Sequence, residues 1–118
     1  NALNDCTDFS SGNYELQNLY LKNCGDKGIS IGEKSFVKVK NVNIDKADIG
    51  IATKDSSVLK LSQASLKNLN TCISAYNKKQ EFQGGFIKAE KIECENFKNK
   101  FDIDKLSKVL LNNVSQNN

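Results

Sequence analysis

Three short stretches of the sequence decide the fold: Gly28-Ile29-Ser30-Ile31, Gly50-Ile51-Ala52-Thr53 and Cys72-Ile73-Ser74-Ala75. They follow one another at a constant interval, and the same interval counted backward reaches Cys6-Thr7-Asp8-Phe9. A constant period of this length indicates a repeat architecture, in which each unit must stack on its neighbours to bury its apolar side chains. The sequence therefore predicts a solenoid whose coils contain about 22 residues.

A second set of apolar residues follows each stretch and repeats with it. Its members alternate with polar residues, which is the period of a half-buried β-strand, and three short strands fit each unit best. The set advances once by the same interval and then by a longer one, because the segment 78–85, with its paired glycines, reads as an inserted loop. The matching positions are Val37, Val39, Val42 and Ile44, then Leu59, Leu61, Ala64 and Leu66, then Ile87, Ala89, Ile92 and Cys94.

The repeat resembles a known family of folds. Three segments carry the resemblance: Leu21-Lys22-Asn23-Cys24, Gly28-Ile29-Ser30-Ile31 and Leu66-Lys67-Asn68-Leu69. Over residues 5–103 they resemble the right-handed parallel β-helix, or pectin-lyase-like, repeat family, which implies an all-β solenoid of about four coils. The segments 26–35, 54–56 and 76–82 are similar to a subgroup of uncharacterised bacterial surface proteins.

We interpret residues 1–118 as one domain whose two ends show different patterns. Coils are expected over 5–101 and a C-terminal cap over 102–111, followed by a frayed tail over 112–118. Within the cap, Leu106, Val109 and Leu110 fall on one face of a short helix, and a short final strand is the competing interpretation. No similar segment precedes residue 5, so we expect an uncapped N-terminal coil, with missing upstream coils of a longer chain or end-to-end self-association as the two explanations.

Composition excludes several classes of function. The chain carries 17 basic residues, all of them lysine, against 14 acidic residues, and these charges are interleaved along the sequence. We therefore predict no nucleic-acid binding, since arginine forks and long basic runs are lacking. No apolar stretch is long enough to predict a membrane span. We expect a secreted or cell-surface location, with the secretion signal upstream of residue 1.

The cysteines and the corner asparagines have structural interpretations. The spacing of Cys6, Cys24, Cys72 and Cys94 matches no metal-binding motif, and the sequence contains no histidine, so we predict no metal and no cofactor. Free buried thiols are the default for Cys24 and Cys94, and Cys6 with Cys24 is the pairing that merits a test. One recurrent corner position carries an amide ladder in this interpretation: Asn23, Asn68 and Asn96, interrupted by Lys46.

The inserted loop and the turns beside it form the candidate ligand site. Adjacent coils lie about 4.8 Å apart, so equivalent turns can place their side chains in contact. In the pectin-lyase-like family, sugar-binding clefts lie beside such loops. The resemblance therefore implies a sugar-binding cleft on this side of the solenoid. The alternative is that these charges solvate a turn and form ordinary surface pairs. The candidate residues are Lys54, Asp55, Tyr76, Lys78, Lys79 and Glu81.

Three functions are compatible with this pattern. The preferred one is a non-catalytic extracellular module that binds a polysaccharide or a surface protein on a flat face of the solenoid. The second is a fragment of a polysaccharide lyase or hydrolase, which requires Lys54, Asp55 and Glu81 to face one groove; no constellation of clustered carboxylates is evident in the sequence, so activity in this segment alone is not favoured. The third is a structural spacer or a self-stacking filament subunit.

Overall fold

The structure is a computed structural model that describes residues 4–118. Within that range the chain contains β-strands, turns and bends, and no helix. None of it could therefore cross a membrane as a helix. The strands are β1 (Thr7–Phe9), β2 (Gly12–Lys22), β3 (Lys27–Ile31), β4 (Ser35–Lys54), β5 (Val58–Tyr76), β6 (Phe86–Ile103), β7 (Lys108–Leu111) and β8 (Val114–Ser115).

The strands stack in parallel as a solenoid of about five turns, close to the four coils predicted. Strands β3 to β7 follow one another through the stack, β1 pairs with β3, and β2 pairs with β4. Val39 pairs with Leu61 and Leu61 with Ala89, so the two intervals of the repeat do place equivalent side chains on adjacent coils. The predicted all-β parallel solenoid is confirmed.

Each coil has three faces, which we name in chain order. The first face comprises 12–16, 35–39, 58–61, 86–89 and 108–111; the second, 18–22, 41–45, 63–67 and 91–95; and the third, 7–9, 27–31, 49–53, 71–75 and 99–103. Long continuous strands span these faces because the chain bends at single residues and then resumes pairing. The named faces fix where any surface side chain lies.

The core consists of columns of apolar side chains inside the solenoid. The column Val37, Leu59, Ile87 and Val109 is fully buried along its whole length, at 0% exposure for each member. Burying one such side chain contributes roughly 1.5–3 kcal/mol, so the apolar columns together dominate the stability of each coil. β-Branched residues suit these positions because they pack well on a pleated surface.

The corner between the second and third faces turns on one left-handed residue per coil. Asn23, Lys46, Asn68 and Asn96 have φ angles of 56°, 74°, 63° and 52°. Asparagine tolerates this conformation better than other residues with a side chain. The side-chain amide of Asn96 donates to Oδ1 of Asn68 at 2.6 Å. The predicted amide ladder is present there, and Lys46 interrupts it as expected.

The C-terminal segment differs from the capping helix considered above. Residues 108–111 form β7, which pairs in parallel with Phe86–Ala89 of β6, so the short final strand is the correct interpretation. Alternating burial explains the outcome, because Val109 enters the apolar column while Leu106 is 59% exposed.

The tail after β7 also has defined structure. Asn112 and Asn113 have φ angles of 53° and 66° and form a tight turn that leads into the antiparallel strand β8. Beyond β8, the side chain of Asn118 accepts a hydrogen bond from the backbone amide of Ile103 at 2.6 Å. Residues 112–118, expected to be a frayed tail, thus fold across the end of the last coil.

Both ends of the described stack retain unpaired strand edges. At one end, β1 and β2 each pair on a single side, and at the other, residues 90–102 of β6 have no second strand among residues 4–118. The expected absence of an N-terminal cap concerns residues 1–3 in part, and these lie outside the described residues. End-to-end self-association through this coil stays a prediction.

The cysteines are all paired within the described chain, so the expectation of free thiols is wrong for Cys24 and Cys94. Cys6 bonds to Cys24, the pairing singled out from the sequence, with Cα atoms 5.3 Å apart. Cys72 bonds to Cys94, with Cα atoms 6.5 Å apart.

Cys72 and Cys94 belong to different columns, and the shape of the core explains why they meet. Cys72 occupies the position of Gly28, where an added Cβ would lie 2.6 Å from Cδ1 of Ile44. Ile44 belongs to the same column as Cys94. The two columns therefore face each other across the core, which brings the thiols of Cys72 and Cys94 together.

We expect the substitution Lys46→Asn to stabilise the solenoid by about 0.5–1 kcal/mol, because asparagine adopts the left-handed conformation at lower energy and continues the corner column. Urea unfolding would show the gain as a higher midpoint at unchanged slope. Lys98→Asn, which removes the same charge from an exposed strand position, is the matched control. An equal gain in both variants would contradict the role of the corner.

Candidate functional site

The inserted loop is organised around the buried carboxylate of Asp55. The residue is 0% exposed, and its Oδ1 accepts hydrogen bonds from the backbone amides of Lys78 at 2.7 Å and Lys79 at 2.9 Å. Asn77 holds the far side of the loop, since its amide donates to the carbonyl oxygens of Phe82 and Gln83 at 2.6 Å and 2.9 Å. The loop is therefore a folded turn tied to the preceding coil.

The other predicted site residues do not meet in one groove. Lys54 crosses over Gly32 and places its ammonium 6.0 Å from the ring centroid of Tyr76. Lys79 forms its ion pair with Glu33, not with Glu81, which is exposed.

The structure thus brings Lys54 to Tyr76, and brings Asp55 to the backbone of Lys78 and Lys79. Asp55 is buried and Glu81 is exposed, so their carboxylates do not lie side by side on one surface.

Tyr76 also belongs to a small charged cluster on the third face. Burial raises the pKa of Tyr76 above its ordinary value of 10.0, although the nearby ammonium of Lys27 opposes the shift. Burial lowers the pKa of Lys27, but its hydrogen bond to Asp26 and the charges around it outweigh this, so the pKa is raised above 10.5. The Lys27 ammonium lies 2.9 Å from Asp26 and 3.8 Å from Asp5. In this cluster one ammonium lies between two carboxylates, so it is already paired and is not a free cation.

A different surface, on the first face, carries cations without partners. Lys38 pairs in register with Lys60, and Lys60 with Lys88, so the three form one column across adjacent coils. All three are exposed, whereas the residues that flank them along each strand are buried. Among residues 4–118 no carboxylate lies within ion-pairing distance of any of them. We call these three residues the lysine column.

Stacking like charges in this way is unfavourable for folding. Neighbouring coils are about 4.8 Å apart, and like charges directly opposite one another on paired strands are destabilising. One contact moderates the repulsion, since the ammonium of Lys60 lies 5.5 Å from the ring centroid of Phe36. The remaining imbalance would be relieved by an anion bound along the column.

A groove of about 330 Å³ runs beside the lysine column. Its opposite side offers neutral and acidic hydrogen-bonding groups from the next corner and from the C-terminal turn: Ser62, Glu90, Asn112 and Asn113. A second depression, of about 500 Å³, adjoins the same column where it borders Phe36. The first face therefore combines a row of cations, hydrogen-bonding groups and an aromatic edge. We call the 330 Å³ depression the lysine groove.

Larger grooves elsewhere lack such an imbalance. One of about 420 Å³ contains Lys67, whose ammonium is 4.0 Å from Asp45. Another, of about 680 Å³, contains Asp48, which accepts a hydrogen bond from Asn70 at 2.5 Å. In both, opposite charges or neutral polar groups follow one another across the coils, so like charges are not stacked. The lysine groove is the better candidate site on this ground.

The sequence contains a signal for the lysine column, namely the repeat interval itself. The same two intervals that align Val37, Leu59 and Ile87 also align the lysines that follow them. A repeat fixes outward columns as firmly as inward ones. Searching the outward columns for runs of like charge would have found this site.

Comparison with known proteins provides no functional assignment. No protein-family model, no curated protein and no solved structure matches the chain significantly. The fold is shown by the parallel register itself, and the site must be argued from its own residues.

We expect Asp55→Ala to destabilise the protein by about 2 kcal/mol, because two backbone amides of the inserted loop lose a charged acceptor. Chemical unfolding measures the change, and faster proteolysis within 77–85 would locate it. The control Glu81→Ala, at an exposed position, should change stability by less than about 0.5 kcal/mol. A neutral Asp55→Ala would show that the carboxylate does not hold the loop.

We also expect the protein to lose stability as the pH rises above 10.0. The pKa values of Tyr76 and Lys27 are both raised in the folded state, so the unfolded chain releases these protons first and is favoured by alkali. Tyr76→Phe removes one of the two groups and should flatten the decline, measured by urea unfolding from about pH 8 to about pH 11.5. Tyr20→Phe, at a position that is 74% exposed, should follow the parent curve, and a parallel decline in all three proteins would contradict the assignment.

Proposed function

We propose that this chain is a non-catalytic β-solenoid module that binds an anionic polysaccharide in the lysine groove. The observation that carries the proposal is the column of Lys38, Lys60 and Lys88, three lysines paired in register on adjacent coils with no carboxylate partner in the described chain. A polymer with one carboxylate or sulfate on each sugar unit would place an anion beside each lysine.

The other groups around the groove favour a sugar polymer over other polyanions. Sugar hydroxyls are hydrogen-bond donors, and Glu90 and Ser62 offer acceptors for them across from the lysines. Phe36, in the neighbouring outward column, lines the second depression beside Lys38 and offers an apolar surface suited to the apolar side of a sugar ring. Nucleic-acid binding is disfavoured because the chain has no arginine to form forked contacts with phosphates or base edges.

The absence of catalysis is part of the proposal. Glycoside hydrolysis uses a pair of carboxyl groups that flank the scissile bond. The lysine groove is lined by one carboxylate, Glu90. Binding without cleavage is therefore the simpler function for this surface.

We infer a secreted or cell-surface location, for which the pairing of Cys6 with Cys24 and of Cys72 with Cys94 is the support. Disulfides persist in oxidising compartments and are rare in the cytosol. The parallel solenoid is compatible with the pectin-lyase-like repeat family, and we propose that relationship, and the likeness to a subgroup of bacterial surface proteins, on the strength of the repeat. An exposed polysaccharide is the partner that such a location would provide.

Affinity electrophoresis and calorimetry with polygalacturonate, dextran sulfate and neutral dextran test the proposal. We expect the two anionic polymers to bind, neutral dextran not to bind, and added salt to weaken binding because exposed charges are screened. The triple variant Lys38→Gln, Lys60→Gln, Lys88→Gln should lose roughly 30-fold in affinity, since each exposed ion pair contributes about 0.7 kcal/mol, or about threefold.

The matched control is Lys22→Gln, Lys98→Gln, Lys105→Gln, which removes the same charge from exposed positions outside the column. An equal loss of affinity in both triple variants would show that net charge alone causes the effect, and it would overturn the site. Equal binding of neutral dextran, or tighter binding of single-stranded DNA than of either sugar polymer, would overturn the ligand class.

A further inference from the structure

The lysine column is closed at both ends by residues of another character. Strand pairing places Glu15 beside Lys38 on the first coil, and Leu110 beside Lys88 on the last. The complete outward column therefore reads Glu15, Lys38, Lys60, Lys88, Leu110. Three cations lie between a carboxylate and an apolar side chain, and this arrangement gives the groove a defined length.

We propose that the column selects a run of three consecutive anionic units, and that Glu15 is the specificity-determining residue that ends the run; this rests on the function proposed above. The ligand lies along the solenoid axis, across the strands, because that is the direction in which the lysines follow one another. The lysines repeat about every 4.8 Å, which is the separation of paired strands.

Each end of the run has its own physical barrier. A fourth anion beyond Lys38 would face the carboxylate of Glu15, which is exposed and has no ion pair within residues 4–118. A fourth anion beyond Lys88 would meet Leu110, where the turn at Asn112 and Asn113 also closes the groove. Repulsion limits one end and the loss of a cation limits the other.

Oligogalacturonates of two to eight units are the probes. We expect affinity to rise about threefold from two units to three, in keeping with one additional exposed ion pair. Beyond three units the affinity should be flat apart from the statistical gain of a longer chain. Calorimetry at low salt measures the whole series under one condition.

The substitution Glu15→Lys extends the column to four cations and should move the plateau from three units to four. Glu15→Gln removes the repulsion without adding a cation, so it should leave the plateau at three while weakening the rejection of longer oligomers. Glu81→Lys, on the inserted loop, changes the net charge as Glu15→Lys does and should raise affinity for all lengths slightly without moving the plateau. Circular dichroism before each titration confirms that the variants are folded.

The outcomes separate this inference from the function on which it rests. Failure of the parent protein to bind oligomers or polymers overturns both. Binding that strengthens steadily from three units to eight, or an effect of Glu15→Lys that Glu81→Lys reproduces at every length, overturns the three-unit run and leaves the proposed function standing. A plateau that moves only with Glu15→Lys supports the inference.

Discussion

The structure depends on one constraint, the parallel register that stacks each coil directly over the last. A coil of about 22 residues is too small to enclose a core, so its apolar side chains are buried only if the neighbouring coils place theirs in the same columns. The continuous burial of Val37, Leu59, Ile87 and Val109 shows this arrangement from the second coil to β7. A shift of one residue along a strand would turn every such column toward solvent.

This dependence explains why so much of the fold could be predicted. Repeated spacing and alternating polarity are properties of the sequence, and they suffice to align Val39 with Leu61 and to place the insertion at 78–85. The position of the corner residues followed from the same alignment, because left-handed turns select asparagine. The direction of strand pairing then follows from the short period, which leaves no room for hairpins within a coil.

The features that could not be predicted are contacts between residues at different positions of the repeat. Cys72 and Cys94 belong to different columns, and only the shape of the core brings them together. Asp55 reads as a surface charge in the sequence, yet it turns inward to bind the backbone of the inserted loop. The C-terminal segment was ambiguous because Leu106, Val109 and Leu110 suit one face of a helix, and the free edge of β6 decided in favour of a strand.

Register acts on the outside of the solenoid as well as on the inside, and there it distinguishes two kinds of column. The corner asparagines donate and accept hydrogen bonds between coils, so their repetition stabilises the fold and needs no ligand to account for it. Repetition of Lys38, Lys60 and Lys88 destabilises the fold instead, because each coil adds a charge that repels the one beside it. Folding alone would favour alternation of charge at these positions, as between Lys67 and Asp45 on the second face. The lysine column lowers the stability of the fold that carries it. Sequence features that conflict with stability in this way are expected at functional sites. The lysine column is therefore better explained by what it binds than by what it contributes to the fold.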